Sequence, residues 1–287
     1  MKNEKLPMTT LSLGYSTCPN DTLAFYALTH GRIESGGLEF NIELADVEKL
    51  NLKARKGLLD VTKLSFAALG NLLDTYGLLR SGAALGRGCG PLIVARPGVG
   101  LGALEGRPVA VPGLWTTAAM LLGLYASPSN LVPMGFEAIM PSLQKGDLDI
   151  GVIIHEGRFT YREYGLECLL DLGDWWERTT GLPIPLGCIA ARRNLPPEII
   201  GKVERSIRES VTYGLANRSQ AMPYITGHSQ ELAPRVIEQH IDLYVNNFTV
   251  DLGEEGGKAI ETLFQMAERK GLLSKKGIPL YADQTAV

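Results

Sequence analysis

The chain has 287 residues, 45% of them hydrophobic, and a formal net charge of −3 at pH 7. This length and apolar content suffice for a large buried core, as one big domain or as two lobes. No long basic tract points to a nucleic acid or an acidic membrane as partner, and no segment approaches the roughly 18 apolar residues that span a bilayer.

The first third of the chain alternates between predicted strands and helices. A strand is predicted in TTLSLGYS, and the helix after it has Pro19 suited to its start and Gly31 suited to its end. Further strands are predicted in LEFNIELA and LLDVTKLSF, with helices in VEKLNLKARKG and AALGNLLDTYG. This alternation favours an α/β architecture with largely parallel sheets.

The rest of the chain predicts a second lobe and a return to the first. Short buried strands in GPLIVARPG and RPVAVPG precede a helix in TTAAMLLGLYA, and three long helices are predicted in the C-terminal third. Two segments rich in Gly and Pro, residues 86–96 and 180–196, are expected to cross between the lobes as paired strands. We therefore predict a larger lobe from residues 1–95 plus 191–287 and a smaller lobe from residues 96–190.

A helix–Lys-Gly–strand unit occurs twice, in residues 47–66 and again 89 residues later in residues 136–155, with five of twenty positions identical. The repeat predicts two similar lobes. Lys63 and Ser65 then end the strand of one lobe, and His155 ends that of the other. Because ligands of open α/β sheets bind beyond the carboxyl ends of the strands, we expect these residues to face each other across a cleft.

Four further polar residues stand at predicted helix starts, where free N–H groups and the helix dipole attract anions. They are Asn20, Asp21, Thr116 and Thr117. Each is also suited to capping its helix, so capping and ligand contact both stay open. His155 is likewise either a base facing the cleft or a histidine that ends a strand and bonds to backbone. Glu156 and Arg158 are expected to face solvent or to pair with each other.

The sequence argues against a metal or a nucleotide cofactor. ALGRGCG precedes a strand instead of opening a helix, and the histidine of His155-Glu156 has no second histidine at zincin spacing. The cysteines form no C-x-x-C pair, so reduced buried thiols are expected, and Cys18 has no second histidine placed by sequence to activate it. The polar start MKNEKLPMTT indicates a cytoplasmic location. The three remaining histidines are expected to be structural: His30, His228 and His240.

Six segments together resemble the 1,4-dihydroxy-6-naphthoate synthases of the futalosine route to menaquinone. They are STCPNDTLAFYALTHGRI, DVTKLSFAAL, LGRGCGPLIVAR, PGLWTTAAMLL, VIIHEGRFTY and DWWERTTGLPIPLG, in order between residues 11 and 192. The resemblance implies a two-lobed fold like type 2 periplasmic binding proteins, with no cofactor. It implies cleavage of cyclic dehypoxanthine futalosine, a small-molecule carboxylate, with His155 as general base. It also implies substrate contacts from both lobes, by Lys63, Leu64 and Ser65 and by Thr117 and Ala118.

Two other functions share this predicted fold. A solute-binding protein would hold its ligand in the same cleft without turnover, although the sequence shows no signal peptide. A chorismate dehydratase of the same pathway would act on a different carboxylate, and the HEGRFTY segment argues against it. The sequence leaves the oligomeric state open.

Overall fold

The structure, a computed structural model, describes residues 8–229 and 233–284. Its strands are β1 (Thr9–Tyr15), β2 (Leu38–Leu44), β3 (Val61–Ser65), β4 (Tyr76–Leu78), β5 (Ala84–Gly86), β6 (Leu92–Ala95), β7 (Val109–Val111), β8 (Leu131–Pro133), β9 (Ile150–Ile153), β10 (Glu167–Asp171) and β11 (Ile184–Arg192). Its helices are α1 (Pro19–Thr29), α2 (Val47–Arg55), α3 (Phe66–Asn71), α4 (Thr117–Tyr125), α5 (Phe136–Lys145), α6 (Gly157–Thr160), α7 (Leu172–Thr180), α8 (Pro197–Ala216), α9 (Arg218–His228), α10 (Pro234–Tyr244), α11 (Asn247–Val250) and α12 (Gly253–Arg269).

The strands form two sheets, which confirms the predicted α/β architecture. The first sheet has the order β2-β1-β3-β11-β4, with β5 also paired to β11, and the second has the order β10-β6-β9-β7-β8. In the first sheet β1, β2 and β3 run parallel, and β11 pairs antiparallel to β3. In the second sheet β7, β8 and β9 run parallel, and β6 pairs antiparallel to β9. The sheets are mixed and not largely parallel, because β6 and β11 each enter their sheet from the other one.

The predicted internal repeat is confirmed. Helix α2 begins at Val47 and α5 at Phe136, while β3 begins at Val61 and β9 at Ile150, so both elements recur at the offset of 89 residues. In each sheet the repeated strand pairs in parallel with the strand two before it in the chain, β3 with β1 and β9 with β7. The carboxyl ends of β3 and β9 therefore occupy equivalent places in the two halves of the molecule.

The chain crosses between the sheets twice, at residues 87–91 and at residues 181–183. At the first crossing Gly90 and Gly173 approach so closely that a Cβ on Gly173 would overlap the backbone of the other segment. Only glycine permits this contact.

The predicted lobe boundaries stay a prediction, and the changes of sheet lie a few residues away from them. Strand β6 lies in the second sheet although the larger lobe is predicted to reach residue 95, and β11 begins in the first sheet although the smaller lobe is predicted to reach residue 190. Both changes of sheet lie several residues N-terminal to the predicted boundaries, because a strand pattern does not reveal which sheet accepts the strand. Residues 1–7, 230–232 and 285–287 of the predicted larger lobe lie outside the described residues.

Helix α1, which bears the predicted site residues Asn20 and Asp21, is itself buried. Residues 19–27 of α1 are buried, and α8, α9 and α10 pack around the helix. The predicted C-terminal helices correspond to α8, α10 and α12, and α9 is an additional one. Within the described residues, no helix combines the length and the apolar character that crossing a membrane requires.

Candidate active site

A cavity lies between the two sheets, at the carboxyl ends of their parallel strands. It is lined by eight of the nine residues predicted as site residues: Asn20, Asp21, Lys63, Ser65, Thr116, Thr117, Ala118 and His155. The exception is Leu64, which is fully buried in the core. Alternate side chains of β3 point to opposite faces, so Lys63 and Ser65 face the cavity while Leu64 faces away from it.

His155 follows the end of β9, and one of its ring nitrogens has no hydrogen-bond partner among the described residues. Among the described residues it is the only non-glycine with a positive φ, 56°. Such a backbone costs about 1–2 kcal/mol in an L-residue, and strain of this kind clusters at functional sites. The imidazole Nδ1 lies 3.5 Å from Cys18 Sγ, the ring packs edge-on against Phe136, and Nε2 is buried with no hydrogen-bond partner among the described residues.

A buried ion pair fixes the first-sheet side of the cavity. Lys63 Nζ donates to Asp21 Oδ1 over 2.5 Å, and both side chains are almost entirely buried. Asp21 also accepts from the amide nitrogen of Asn20 and from the hydroxyl and the backbone N–H of Ser16. Both carboxylate oxygens of Asp21 therefore accept hydrogen bonds from protein donors. Neither Asn20 nor Asp21 caps α1, whose N-cap is Cys18.

The start of α4 presents backbone donors from the second half of the molecule. Thr116 caps the helix, because its hydroxyl accepts from Ala119 N–H and donates to Gly113 carbonyl oxygen. The Thr117 hydroxyl donates to Leu186 carbonyl oxygen over 2.6 Å. Both hydroxyls thus serve the protein itself. What the helix start offers a ligand is its first N–H groups, those of Thr117 and Ala118, at the positive end of the dipole.

Helix α2 ties the two halves together beside the cavity. Glu48 accepts from Trp115 N–H at 3.1 Å, Asn51 donates to Trp115 carbonyl oxygen at 3.3 Å, and Arg55 lies over the Trp115 ring. Burial raises the pKa of Glu48 above its usual value. Asn51 also donates to Ser65 Oγ and accepts from Ser65 N–H. The Ser65 hydroxyl is consequently held in place with its own hydrogen available to a ligand.

The cavity also contains His240, for which a structural role was expected from the sequence. His240 lies on α10, is 1% exposed, and has its ring centroid 6.3 Å from that of His155. A signal for its burial was present, because His240 shares a helix face with the apolar Ile237, Ile241 and Tyr244 at i−3, i+1 and i+4. That periodicity indicates a buried histidine but does not show which other part of the chain it meets.

The residues after His155 do not behave as expected. Arg158 does not pair with Glu156, since its guanidinium bonds to Asp171 at 2.6 Å and to the carbonyl oxygens of Gly88 and Gly90 in the crossing segment. Glu156 is 8% exposed, and its Oε1 lies 3.9 Å from His240 Nδ1. Arg158 therefore anchors the crossing, while Glu156 places a carboxylate beside the cavity.

All four cysteines are free thiols. Three of them are buried as expected, whereas Cys168 is exposed because it lies on β10, at the edge of its sheet. Burial raises the pKa of Cys18 well above its usual value, and the nearby charges of Glu156 and Asp21 add to this. A protonated thiol is a poor nucleophile, which agrees with the expectation that Cys18 is not one. Within the described residues, no group of three or more His, Cys, Asp or Glu side chains is arranged to hold a metal ion.

Known proteins resemble this chain over nearly its whole length. A family model described as menaquinone biosynthesis matches residues 11–269. The 1,4-dihydroxy-6-naphthoate synthase of Thermus thermophilus is 50% identical over 274 residues, covering 96% of this chain and 100% of the relative. The enzyme of the same name from Streptomyces coelicolor is 45% identical over 274 residues, covering 93% of this chain and 96% of the relative.

Solved structures confirm the fold expected from the resemblance. A crystal structure of a protein from Archaeoglobus fulgidus has a TM-score of 0.86 and 37% identity, covering 92% of this chain and 98% of that one. The alkanesulfonate-binding protein of Xanthomonas axonopodis pv. citri has a TM-score of 0.71 at 15% identity, covering 97% and 98%. A Candida albicans protein described as having the generic periplasmic binding protein fold has a TM-score of 0.67 at 12% identity, covering 94% and 92%. The fold is therefore periplasmic-binding-protein-like.

Proposed function

The chain belongs to the menaquinone biosynthesis family and is an enzyme of that route, and from this premise we propose that it releases 1,4-dihydroxy-6-naphthoate from cyclic dehypoxanthine futalosine. The observation that carries the proposal is the unpartnered Nε2 of His155, which shares one cavity with the start of α4 and with Ser65. A base and a set of hydrogen-bond donors thus meet in one cavity.

The reaction requires removal of a proton and cleavage of a carbon–carbon bond, and the fragment that leaves with the electron pair of that bond takes up a proton in return. Aromatisation of the product ring supplies driving force. In the proposal, His155 Nε2 takes the proton, with Nδ1–H directed at the Cys18 sulfur so that the Nε2 lone pair is free. A general base of this kind contributes about 10²–10⁴ in rate. The left-handed backbone of His155 supports this role, because it turns the side chain of a strand-terminal residue into the cavity.

Substrate binding is proposed to use donors from both halves of the molecule. The N–H groups of Thr117 and Ala118 at the start of α4 suit a carboxylate, and the Ser65 hydroxyl donates from the opposite side. Lys63 adds positive charge at the cavity wall, although its ammonium group is already paired with Asp21. Asn20 and Asp21 act in this scheme by holding Lys63 and other wall residues in place.

The decisive experiment incubates the purified protein separately with cyclic dehypoxanthine futalosine and with chorismate. We expect 1,4-dihydroxy-6-naphthoate to appear with the first compound only, as detected by chromatography and mass spectrometry. Dehydration of chorismate would instead assign the second activity. Tight binding of either compound without turnover would favour a binding protein. A cytoplasmic location and a small molecule as the main partner stay predictions.

A further inference from the structure

A second imidazole lies in the cavity with a nitrogen that nothing in the described chain satisfies. His240 Nδ1 is buried and has no hydrogen-bond partner among the described residues. Its ring lies at a 26° angle to the His155 ring, with 6.3 Å between centroids, and 4.5 Å from the Tyr244 ring. A buried polar atom left unpaired in this way is destabilising, so a native site that keeps one calls for an explanation.

A chain of hydrogen bonds determines which nitrogen of His240 carries the proton. Lys63 donates to Asp21, and the amide nitrogen of Asn20 also donates to Asp21, at 2.8 Å. The carboxylate therefore orients the Asn20 amide with its oxygen towards His240, whose Nε2 lies 2.9 Å from Asn20 Oδ1. Because that oxygen can only accept, Nε2 must carry the hydrogen and Nδ1 is left with a lone pair.

The nearest charged neighbour cannot satisfy that lone pair. Glu156 Oε1 lies 3.9 Å from His240 Nδ1, and a carboxylate oxygen is an acceptor like the nitrogen. Burial lowers the pKa of His240 well below its usual value, and the neighbouring His155 and Lys63 lower it further. His240 is consequently neutral at neutral pH and does not form an ion pair with Glu156. No described residue supplies the missing donor, and a molecule that enters the cavity can supply it.

Building on the proposed function, we propose that His240 Nδ1 accepts a hydrogen bond from a hydroxyl group of the substrate, and that Asn20, Asp21 and Lys63 are positioning residues that fix its tautomer. The site would then recognise a polyhydroxylated carboxylate. His155 Nε2 would remove the proton, while His240 would read one hydroxyl and thereby orient the substrate. A buried acceptor that meets its donor only in the complex discriminates against ligands that lack this donor.

Two matched variants separate the two nitrogens of His240. His240→Gln keeps an N–H group near the position of Nε2 and removes the acceptor at Nδ1. His240→Asn places an amide oxygen near the position of Nδ1 and gives up the bond to Asn20. Both are assayed with cyclic dehypoxanthine futalosine and with analogues in which each hydroxyl is replaced in turn by hydrogen.

For His240→Gln we expect KM to rise about tenfold with kcat nearly unchanged, as for one lost hydrogen bond. We also expect the wild type to reject one deoxy analogue about tenfold and His240→Gln to treat that analogue and the full substrate alike. His240→Asn should retain part of this discrimination. A merely structural role would change stability but would not remove the preference for a single hydroxyl.

A measurement that needs no change at position 240 completes the test. In a His155→Asn variant, which should bind substrate without turning it over, the ¹⁵N signal of His240 Nδ1 should move upfield on addition of substrate. Unchanged discrimination in His240→Gln, or an Nδ1 signal that does not move in the complex, overturns the inference while leaving the proposed function intact. Absence of turnover by the wild type overturns the proposed function and this inference with it.

Discussion

Replacement of His155 by asparagine should abolish most of the activity while leaving the fold intact. Asparagine tolerates the left-handed backbone that His155 adopts at φ 56°, whereas alanine would keep the full strain of a Cβ in that region. The asparagine variant loses the ring contact with Phe136 and the contact with Cys18. We therefore expect its free energy of unfolding to lie within about 1 kcal/mol of the wild-type value.

The expected loss of activity follows from the role of the base. If His155 Nε2 takes the proton, kcat should fall by about 10²–10⁴, which corresponds to about 3–5 kcal/mol in activation free energy. The assay follows formation of 1,4-dihydroxy-6-naphthoate at saturating substrate, with urea unfolding as the check on stability. Cys18→Ala serves as the matched control, because it removes the neighbour of Nδ1 and keeps the base; its kcat should stay within about tenfold. A folded His155→Asn variant with near-wild-type kcat would falsify the assignment of the base.

Three further predictions concern buried charges and thiols. Lys63→Met should lower the free energy of unfolding by about 3–5 kcal/mol, because it leaves Asp21 buried and unpaired. Adding Asp21→Asn should recover part of that loss. A loss below about 1 kcal/mol would contradict the burial of the pair. Iodoacetamide at pH 8 should modify Cys168 first, and faster labelling of Cys18 would contradict its protonated, buried state. The pKa of His240 is depressed in the folded protein, so the free energy of unfolding should fall as the pH drops below about 6.5, where only the unfolded chain takes up the proton. Between pH 7.5 and 5.5 the wild type should lose about 1 kcal/mol more than His240→Gln in urea unfolding. Equal losses would show that His240 does not titrate in this way.

Much of the cleft was predictable because it depends on local patterns. The 89-residue repeat locates the ends of β3 and β9, and strand ends in an α/β fold are where ligands bind. Thr116 and Thr117 were predicted to attract an anion or to cap their helix from their position at its start, and both line the cavity. The prediction for Leu64 came from the family resemblance, and the alternation of side chains along β3 explains why its side chain lies in the core.

What the sequence did not reveal depends on packing between distant segments. His240 is 220 residues from Asn20, and the two meet only because α10 packs against the buried helix α1. The partner of Arg158 is similarly hidden, since Asp171 and the crossing carbonyls reach it through the second sheet. The apolar stripe of α10 shows that His240 is buried, but an amphipathic pattern carries no information about the surface that covers it.

The division of labour in the cleft follows from which polar groups are already paired. Several polar side chains of the cleft form hydrogen bonds to the protein itself and thereby hold the residues around them in place. They are Asp21, Thr116 and Thr117. The groups left for a ligand are the donors of Ser65 and the α4 start and the two imidazole nitrogens. Hydrogen bonds between the two halves, such as that from Thr117 to Leu186, hold these groups in place. The cavity is therefore organised before the ligand arrives. Three donors facing two acceptors are what the proposed substrate, with its carboxylate and hydroxyl groups, would need.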